Sequence, residues 1–302
     1  MFRDTNPRVS IIILNWNGLE DTIECLESLR NITYQNYEAI VVDNGSAGED
    51  VAVLRLKFWE YIHLIENDRN YGFCEGNNIG IRYALKNETD YVLLLNNDTI
   101  VAPDFLSQLL GVAESNPDIG LLGPKIYFYF EPNRIWFAGG RISFASIHSA
   151  RGRWDIDRGQ FDKIDRVDFV SGSCMLVKAC VLKSVGLLDP VYFFGLEDVD
   201  LSLRATRAGF SNVFVPSSRI WHKSGKSAAR NPDVPYFTSR NEIILARKHY
   251  RFSRKAAIRA VTAAITDLLT VSMRYRNTST VIAMLKGLRE GMRVHITSSE
   301  AG

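Results

Sequence analysis

VSIIILNWNG, residues 9–18, sets an apolar, largely β-branched run against an abrupt polar end. Its length and composition predict a buried strand, with Asn15 and Asn17 at the carboxyl end. The same design recurs in VVDNGS, ending at Ser46, and in LLLNNDT, ending at Thr99. NYGFCEGNN from Asn70 and FFGLEDVDLSLR from Phe193 add two further polar clusters beside apolar residues. Strands that end in carboxylates and amides deliver them to one edge of a sheet, where open α/β sheets bind ligands. An active-site cleft is the first expectation.

Outward from these runs, strands at 9–14, 38–43, 61–66 and 91–95 alternate with helices at 19–29, 50–59, 75–86 and 103–115. This rhythm predicts right-handed βαβ units and a parallel, doubly wound half. After Gly120 the pattern changes. Segments 126–130, 135–144 and 167–177 are aromatic and strand-like, while 146–165 is charged and reads as a loop or flap. A short helix closes at Gly186, and another starts at Glu197 and Asp198 and stops at Gly209. Asp200 and Arg204 lie four apart on it and are expected to pair. A strand at 212–216 precedes IWHKSGKS, and helices are expected at 236–250, 253–273 and 280–294. The expected fold class is α/β: a doubly wound, mainly parallel sheet, a smaller mixed-sheet half and a C-terminal helical extension. The divisions expected are a body over 1–235, with halves at about 1–120 and 121–235, and a basic helical region over 236–302.

At 302 residues and 46% hydrophobic the chain can bury a full core, and a net charge of +2 gives no argument for nucleic acid. From Arg240 onward, however, 12 Lys/Arg stand against 4 Asp/Glu. The start lacks the apolar core of a signal peptide, and the most apolar stretch, 256–273, is interrupted by Arg259 and Asp267. A cytoplasmic protein is expected, with Cys25, Cys74, Cys174 and Cys180 reduced and buried.

Each polar cluster has a chemical and a structural reading. Asp98 in LLLNNDT is a carboxylate of the kind a hard divalent cation takes, with Asn96 and Asn97 placed to bond ribose or phosphate oxygens; an Asn/Asp-rich turn is the alternative. Asp43 can accept from a nucleobase or ribose, or simply build a β-turn. The glycines of NYGFCEGNN, Gly72 and Gly76, open a helix whose backbone N–H groups could meet an anion. Glu197 and Asp198 begin a helix, where one of them caps it or where Asp198 acts as a general base. His222 is the one histidine amid such chemistry, either a metal ligand or a structural side chain. GKS at 225–227 is not a phosphate loop, because Ile220 stands where its first glycine belongs; Lys223 and Lys226 remain candidates for attracting a diphosphate.

In this order, VSIIILNWNG, VVDNGS, NYGFCEGNNIG, LLLNNDT, the stretch from Asp168 to Phe210 and WHKSGKS resemble the family 2 glycosyltransferases of the GT-A fold, and within them the rhamnosyltransferase type. The resemblance implies that Asn15, Asn17, Asp43 and Asn44 bind a nucleotide-sugar donor, together with Gly72, Asn77, Asn96, Asn97 and Glu197. It implies that Asp98 and His222 hold Mg or Mn and that Asp198 is the catalytic base. Asn96 departs from the family's Asp-x-Asp at its first position. The implied activity is inverting transfer from a nucleoside-diphosphate sugar, dTDP-rhamnose or a UDP-sugar, to a hydroxyl of a glycan or lipid-linked acceptor. A sugar nucleotidylyltransferase and an inactive nucleotide-sugar-binding protein are the competing readings. The basic C-terminal helices are expected to rest on anionic lipid through Arg247, Lys248, Arg251, Arg254 and Lys255, or else to pack the body or a second subunit as a homodimer.

Overall fold

The computed structural model describes residues 6–142, 149–224, 233–249 and 278–296. Strand β1 (Val9–Asn15) leads through helix α1 (Leu19–Leu29) to β2 (Tyr37–Asp43). Helix α2 (Asp50–Phe58), β3 (Ile62–Glu66), α3 (Gly72–Lys86) and β4 (Tyr91–Asn96) follow. β1 pairs in parallel with β2 and β4, and β2 with β3. Ile11, Ile12 and Ile13 are all buried, as are Ile40, Val41 and Val42. Successive strand residues face opposite sides, so both faces of the sheet are covered, as crossover helices require. The register sets Asn15 beside Asp43 and Leu14 beside Asn96, so the polar strand ends finish level at one edge.

The second half comprises β5 (Thr99–Val101), α4 (Phe105–Ala113), β6 (Ile119–Phe128), β7 (Ile135–Phe137), β8 (Gly140–Arg141) and β9 (Ser149–Ala150). It continues with β10 (Asp165–Val167), β11 (Cys174–Lys178), α5 (Ala179–Val185), α6 (Glu197–Arg207) and β12 (Ser211–His222). It extends the same sheet, in the order β10-β12-β6-β11-β4-β1-β2-β3, with β11 antiparallel between β4 and β6. The expected α/β fold, parallel in its first half and mixed in its second, is what forms.

Several boundaries differ from the sequence reading. β12 does not stop at Pro216: a register shift between Val215 and Arg219 absorbs the proline, which cannot donate to a ladder, and the strand resumes to His222. The segment expected as one strand at 135–144 breaks after Phe137 at Gly139, whose φ is 87°. Within the expected flap, β9 and the start of β10 are ordered strand, and residues 143–148 lie outside the described residues. Cys180 is exposed rather than buried, because it lies on the outward face of α5 between buried Ala179 and Val181.

Helices α7 (Val234–His249) and α8 (Thr278–Arg293) complete the description, and the helix expected at 253–273 lies outside it. Ile244 and Leu245 of α7 join the main hydrophobic core. Asn241 donates to the carbonyls of Tyr192, Phe194 and Gly195 at 2.8–2.9 Å. Arg247 donates to the carbonyls of Gly291 and Val294, and Lys248 pairs with Asp189 and Asp200. Two of the five cations expected to meet lipid are thus engaged within the fold; Arg251, Arg254 and Lys255 lie outside the described residues. Among the described residues no helix is long and apolar enough to cross a membrane.

Asp200 ties α6 to α7. Fully buried, it accepts from Arg204 Nε at 2.8 Å, confirming the expected pair, from His249 Nε2 at 2.7 Å and from Tyr192 Oη at 3.2 Å, and it forms an ion pair with Lys248 Nζ at 2.8 Å. Burial alone would raise its pKa, but the His249 hydrogen bond and the charges of Arg204 and Lys248 hold it well below the usual carboxylate range. Asp200→Ala strands these buried donors and should lower the unfolding free energy by about 3–5 kcal/mol in urea denaturation at pH 7. A depressed folded pKa stabilises above the unfolded value and is lost as pH falls, so the deficit should shrink below about pH 4.

Candidate active site

The edge where β1 and β4 end, together with the last residue of β12, opens onto a cavity of about 810 Å³, within the range of small-molecule and cofactor sites. Asn17, Asn44, Gly72, Asn96, Asn97, Asp98, Glu197, Asp198 and His222 all line it. Asp98 and His222 meet at one end of a short ladder: β5 runs antiparallel to β12, with Thr99, the residue after Asp98, opposite His222. Both side chains are buried, and His222 Nε2 lies 3.0 Å from Asp98 Oδ1 as its hydrogen-bond partner. Burial would raise the Asp98 pKa, but attraction to His222, its hydrogen bond and nearby Lys223 hold it below the ordinary value. His222 Nδ1 is buried without a partner among the described residues, and the ring packs edge-on to Trp136 at 4.7 Å.

On the other wall, the loop before β11 brings Gly172 to Asp198. Asp198 Oδ2 accepts from Gly172 N at 2.9 Å, and Oδ1 from Val199 N at 2.8 Å. Neither Asp198 nor Glu197 caps α6, in contrast to the capping alternative; the cap position is Leu196, in the left-handed region at φ 69°. Glu197 is buried, and its Oε2 has no partner among the described residues. Burial first, and then the charge of Asp198, push its carboxyl up to about 8.

Three expected donor contacts do not line the cavity. Asp43 and Asn15 are buried and bonded to each other, Asn15 Nδ2 donating to Asp43 Oδ1 at 2.7 Å. Asn15 also donates to Asp50 and accepts from Thr22, while Asp43 accepts from Ser46 N. Asn77 turns back onto its own helix, donating to Phe73 O. Asn44 reaches the cavity, yet its amide is engaged by Asn70, Gly72, Asn67 and Tyr71 and serves to shape that loop. Asn97 is held by Thr22, and Asn17 accepts from Ala47 N.

The helix-start anion reading also changes. The first N–H groups of α3 are not open to an anion: Phe73 N and Cys74 N donate to Phe193 O, and Gly72 N to Asn70 Oδ1. Gly72, at φ 84°, lies so close to the Phe193 ring that a Cβ would fall 2.5 Å from it. Lys223, offered for a diphosphate, is buried against Asp21 and Glu24 at 2.8 Å each, and Lys226 lies outside the described residues.

Residues that the sequence reading did not single out complete the walls, notably Trp16, Trp136, Arg153, Ser173, Phe193 and Phe194. For the four aromatic residues the signal was available only as aromatic enrichment near the polar motifs; Arg153 and Ser173 carried none. Among the described residues no three His, Cys, Asp or Glu side chains converge as a metal cage. The pair Asp98 and His222, with an imidazole nitrogen left unpartnered among the described residues, offers donor atoms of the kind that would hold a divalent cation.

Comparison with known proteins agrees with this geometry. The profile described as "Glycosyltransferase like family 2" matches residues 7–232. The chain belongs to this family. The uncharacterized protein y4gI of Sinorhizobium fredii is 28% identical over 244 residues, covering 76% of this chain and 26% of that protein. The N-acetylglucosaminyl-diphospho-decaprenol L-rhamnosyltransferase of Mycobacterium tuberculosis is 27% identical, covering 68% and 73%. The dTDP-rhamnosyl transferase RfbF of Shigella flexneri is 23% identical, covering 98% and 96%. Among solved structures, GalNAc-T7 with UDP, GalNAc and Mn2+ superposes with a TM-score of 0.65 at 18% identity, over 96% of this chain and 55% of that one. This likeness shows the shared GT-A architecture. The chain spans only about a quarter of y4gI and about half of the GalNAc-T7 chain.

In this member of the family, the raised Glu197 pKa has a measurable sign. A folded pKa above the unfolded value near 4.5 stabilises fully below that value and loses its contribution as pH rises toward 8. Urea midpoints from pH 5 to pH 8 should therefore fall more steeply for wild type than for Glu197→Gln; parallel curves would remove Glu197 as the group responsible.

Proposed function

We propose that the cavity transfers a sugar, with inversion, from a nucleoside-diphosphate sugar to a hydroxyl of a glycan or lipid-linked acceptor. The observation that carries this reading is the placement of Asp98, His222 and Asp198 on one cavity, although they lie far apart in sequence. Asp198 is the base: its carboxylate, oriented by the N–H groups of Gly172 and Val199, takes the proton of the acceptor hydroxyl as that oxygen attacks the anomeric carbon. One base and a single displacement invert the configuration. Asp98 and His222 would hold a Mg or Mn ion, which when bound supplies positive charge for the departing diphosphate. Asn17, Asn96 and Asn97 line the same wall and offer hydrogen bonds to ribose or phosphate oxygens. Asp43 and Asn15 support that wall from behind.

Relatives named for dTDP-rhamnose transfer and for a diphospho-decaprenol acceptor support thymidine-diphosphate rhamnose as donor and a lipid-linked glycan as acceptor. A UDP-sugar is the alternative donor. A panel of nucleotide sugars in thermal-shift assays with and without Mn tests the reading. The expected outcome is a rise in melting temperature that requires metal and is lost in Asp98→Ala. Asp198→Asn should retain donor binding while transfer falls by about 10²–10⁴-fold. Full turnover in that variant would remove Asp198 as the base, and donor binding by wild type without any turnover would favour an inactive binding protein.

A further inference from the structure

We propose that Arg153 is the protein's own cationic contact for the donor diphosphate, an inference that rests on the cavity being a nucleoside-diphosphate-sugar site. The lining carries five acidic side chains, Asp21, Asp98, Glu131, Glu197 and Asp198, of which Glu197 is held largely in its neutral form. Asp21 is neutralised by Lys223, and Glu131 by Arg134. A diphosphate entering beside Asp98 and Asp198 adds further negative charge to an already acidic wall, and Coulomb repulsion grows as water is excluded. A divalent cation held by Asp98 and His222 would offset part of this. A second positive group is needed where charge develops on the leaving group.

The side chains offer few sources. Lys223 is closed off by its two carboxylates, with its side chain 1% exposed. Arg153 is different: among the described residues it makes no hydrogen bond and no ion pair, yet it lines the cavity. Its guanidinium lies over the Trp136 ring, 5.4 Å from the centroid. Trp136 in turn packs edge-on to His222. The cation therefore shares a wall with the Asp98–His222 corner, and stacking on an indole face restrains it without using its N–H donors. Those donors form a planar fork that matches two phosphate oxygens. The backbone around it is fixed as well, with Trp154 N bonded to Ile135 O at 2.9 Å and Trp154 stacked on Phe128 at 4.2 Å.

Calorimetric titration of the full chain in Mn, with thymidine and uridine diphosphates and with the matching nucleosides, tests the assignment. Arg153→Gln should weaken diphosphate binding at least tenfold and leave nucleoside binding unchanged. Arg153→Lys, which keeps the charge but not the fork, should recover part of the loss. Undiminished diphosphate affinity in Arg153→Gln would overturn the role of Arg153 while leaving the proposed function standing. Equal losses for nucleoside and diphosphate would also overturn it, since they report a change in the whole cavity. Failure of wild type to bind either diphosphate would instead defeat the reading of the cavity itself.

Discussion

The contact between Asp98 and His222 is the point on which the site depends. The two residues are 124 positions apart and meet only because β12 crosses the sheet beyond its bulge and pairs with β5. Lys223, the next residue, extends the join: its N–H donates to Asp98 O, and its ammonium reaches Asp21 and Glu24 of α1. Three elements from both halves are thus fastened around one carboxylate. Burial disfavours the charge on Asp98, and the neighbouring imidazole and ammonium outweigh that cost. A charged carboxylate is in this way kept in a buried corner of the cavity.

Strands β1, β2 and β4 were legible because buried parallel strands are apolar on both faces, a signal that needs no knowledge of partners. The polar residues that follow them were legible as a group but not individually. Asp43 and Asp98 look alike in sequence, each a carboxylate closing an apolar run. Their roles diverge through neighbours: Asp43 is enclosed by Asn15 and Ser46, while Asp98 meets His222 at the cavity wall. A one-dimensional pattern records which strand end a residue occupies, not which donors the fold brings to it.

The same limit explains the cations. Lys223 beside a histidine suggested a phosphate contact, yet local carboxylates on α1 claim it. Arg153 lies in a stretch whose charge and glycines read only as a loop, and its place over Trp136 depends on the turn that brings residues 151–154 back to β7. Pro216 misled in the opposite direction. A proline stops a ladder only if no bulge accommodates it, and the bulge here is set by β6, the strand alongside.

The loop leading to Asp198 shows why the C-terminal helix α7 belongs to the working of the site. Phe193 and Leu196 are both non-glycine residues in the left-handed region, at φ 58° and 69°, each a conformation costing roughly 1–3 kcal/mol. Such backbone persists only when its surroundings over-determine it. α3 supplies one restraint, donating to Phe193 O from two N–H groups. α7 supplies the others: Phe237 stacks on Phe193 at 5.1 Å, Asn241 holds the carbonyls of Tyr192, Phe194 and Gly195, and the Asp200 ion-pair cluster locks the following turn of α6. All of α7, including Phe237, Asn241 and His249, lies beyond residues 7–232, the span matched by the family profile. The orientation of Asp198 is therefore set in part by residues outside that shared region, and the geometry at the carboxylate is a property of the body and α7 together.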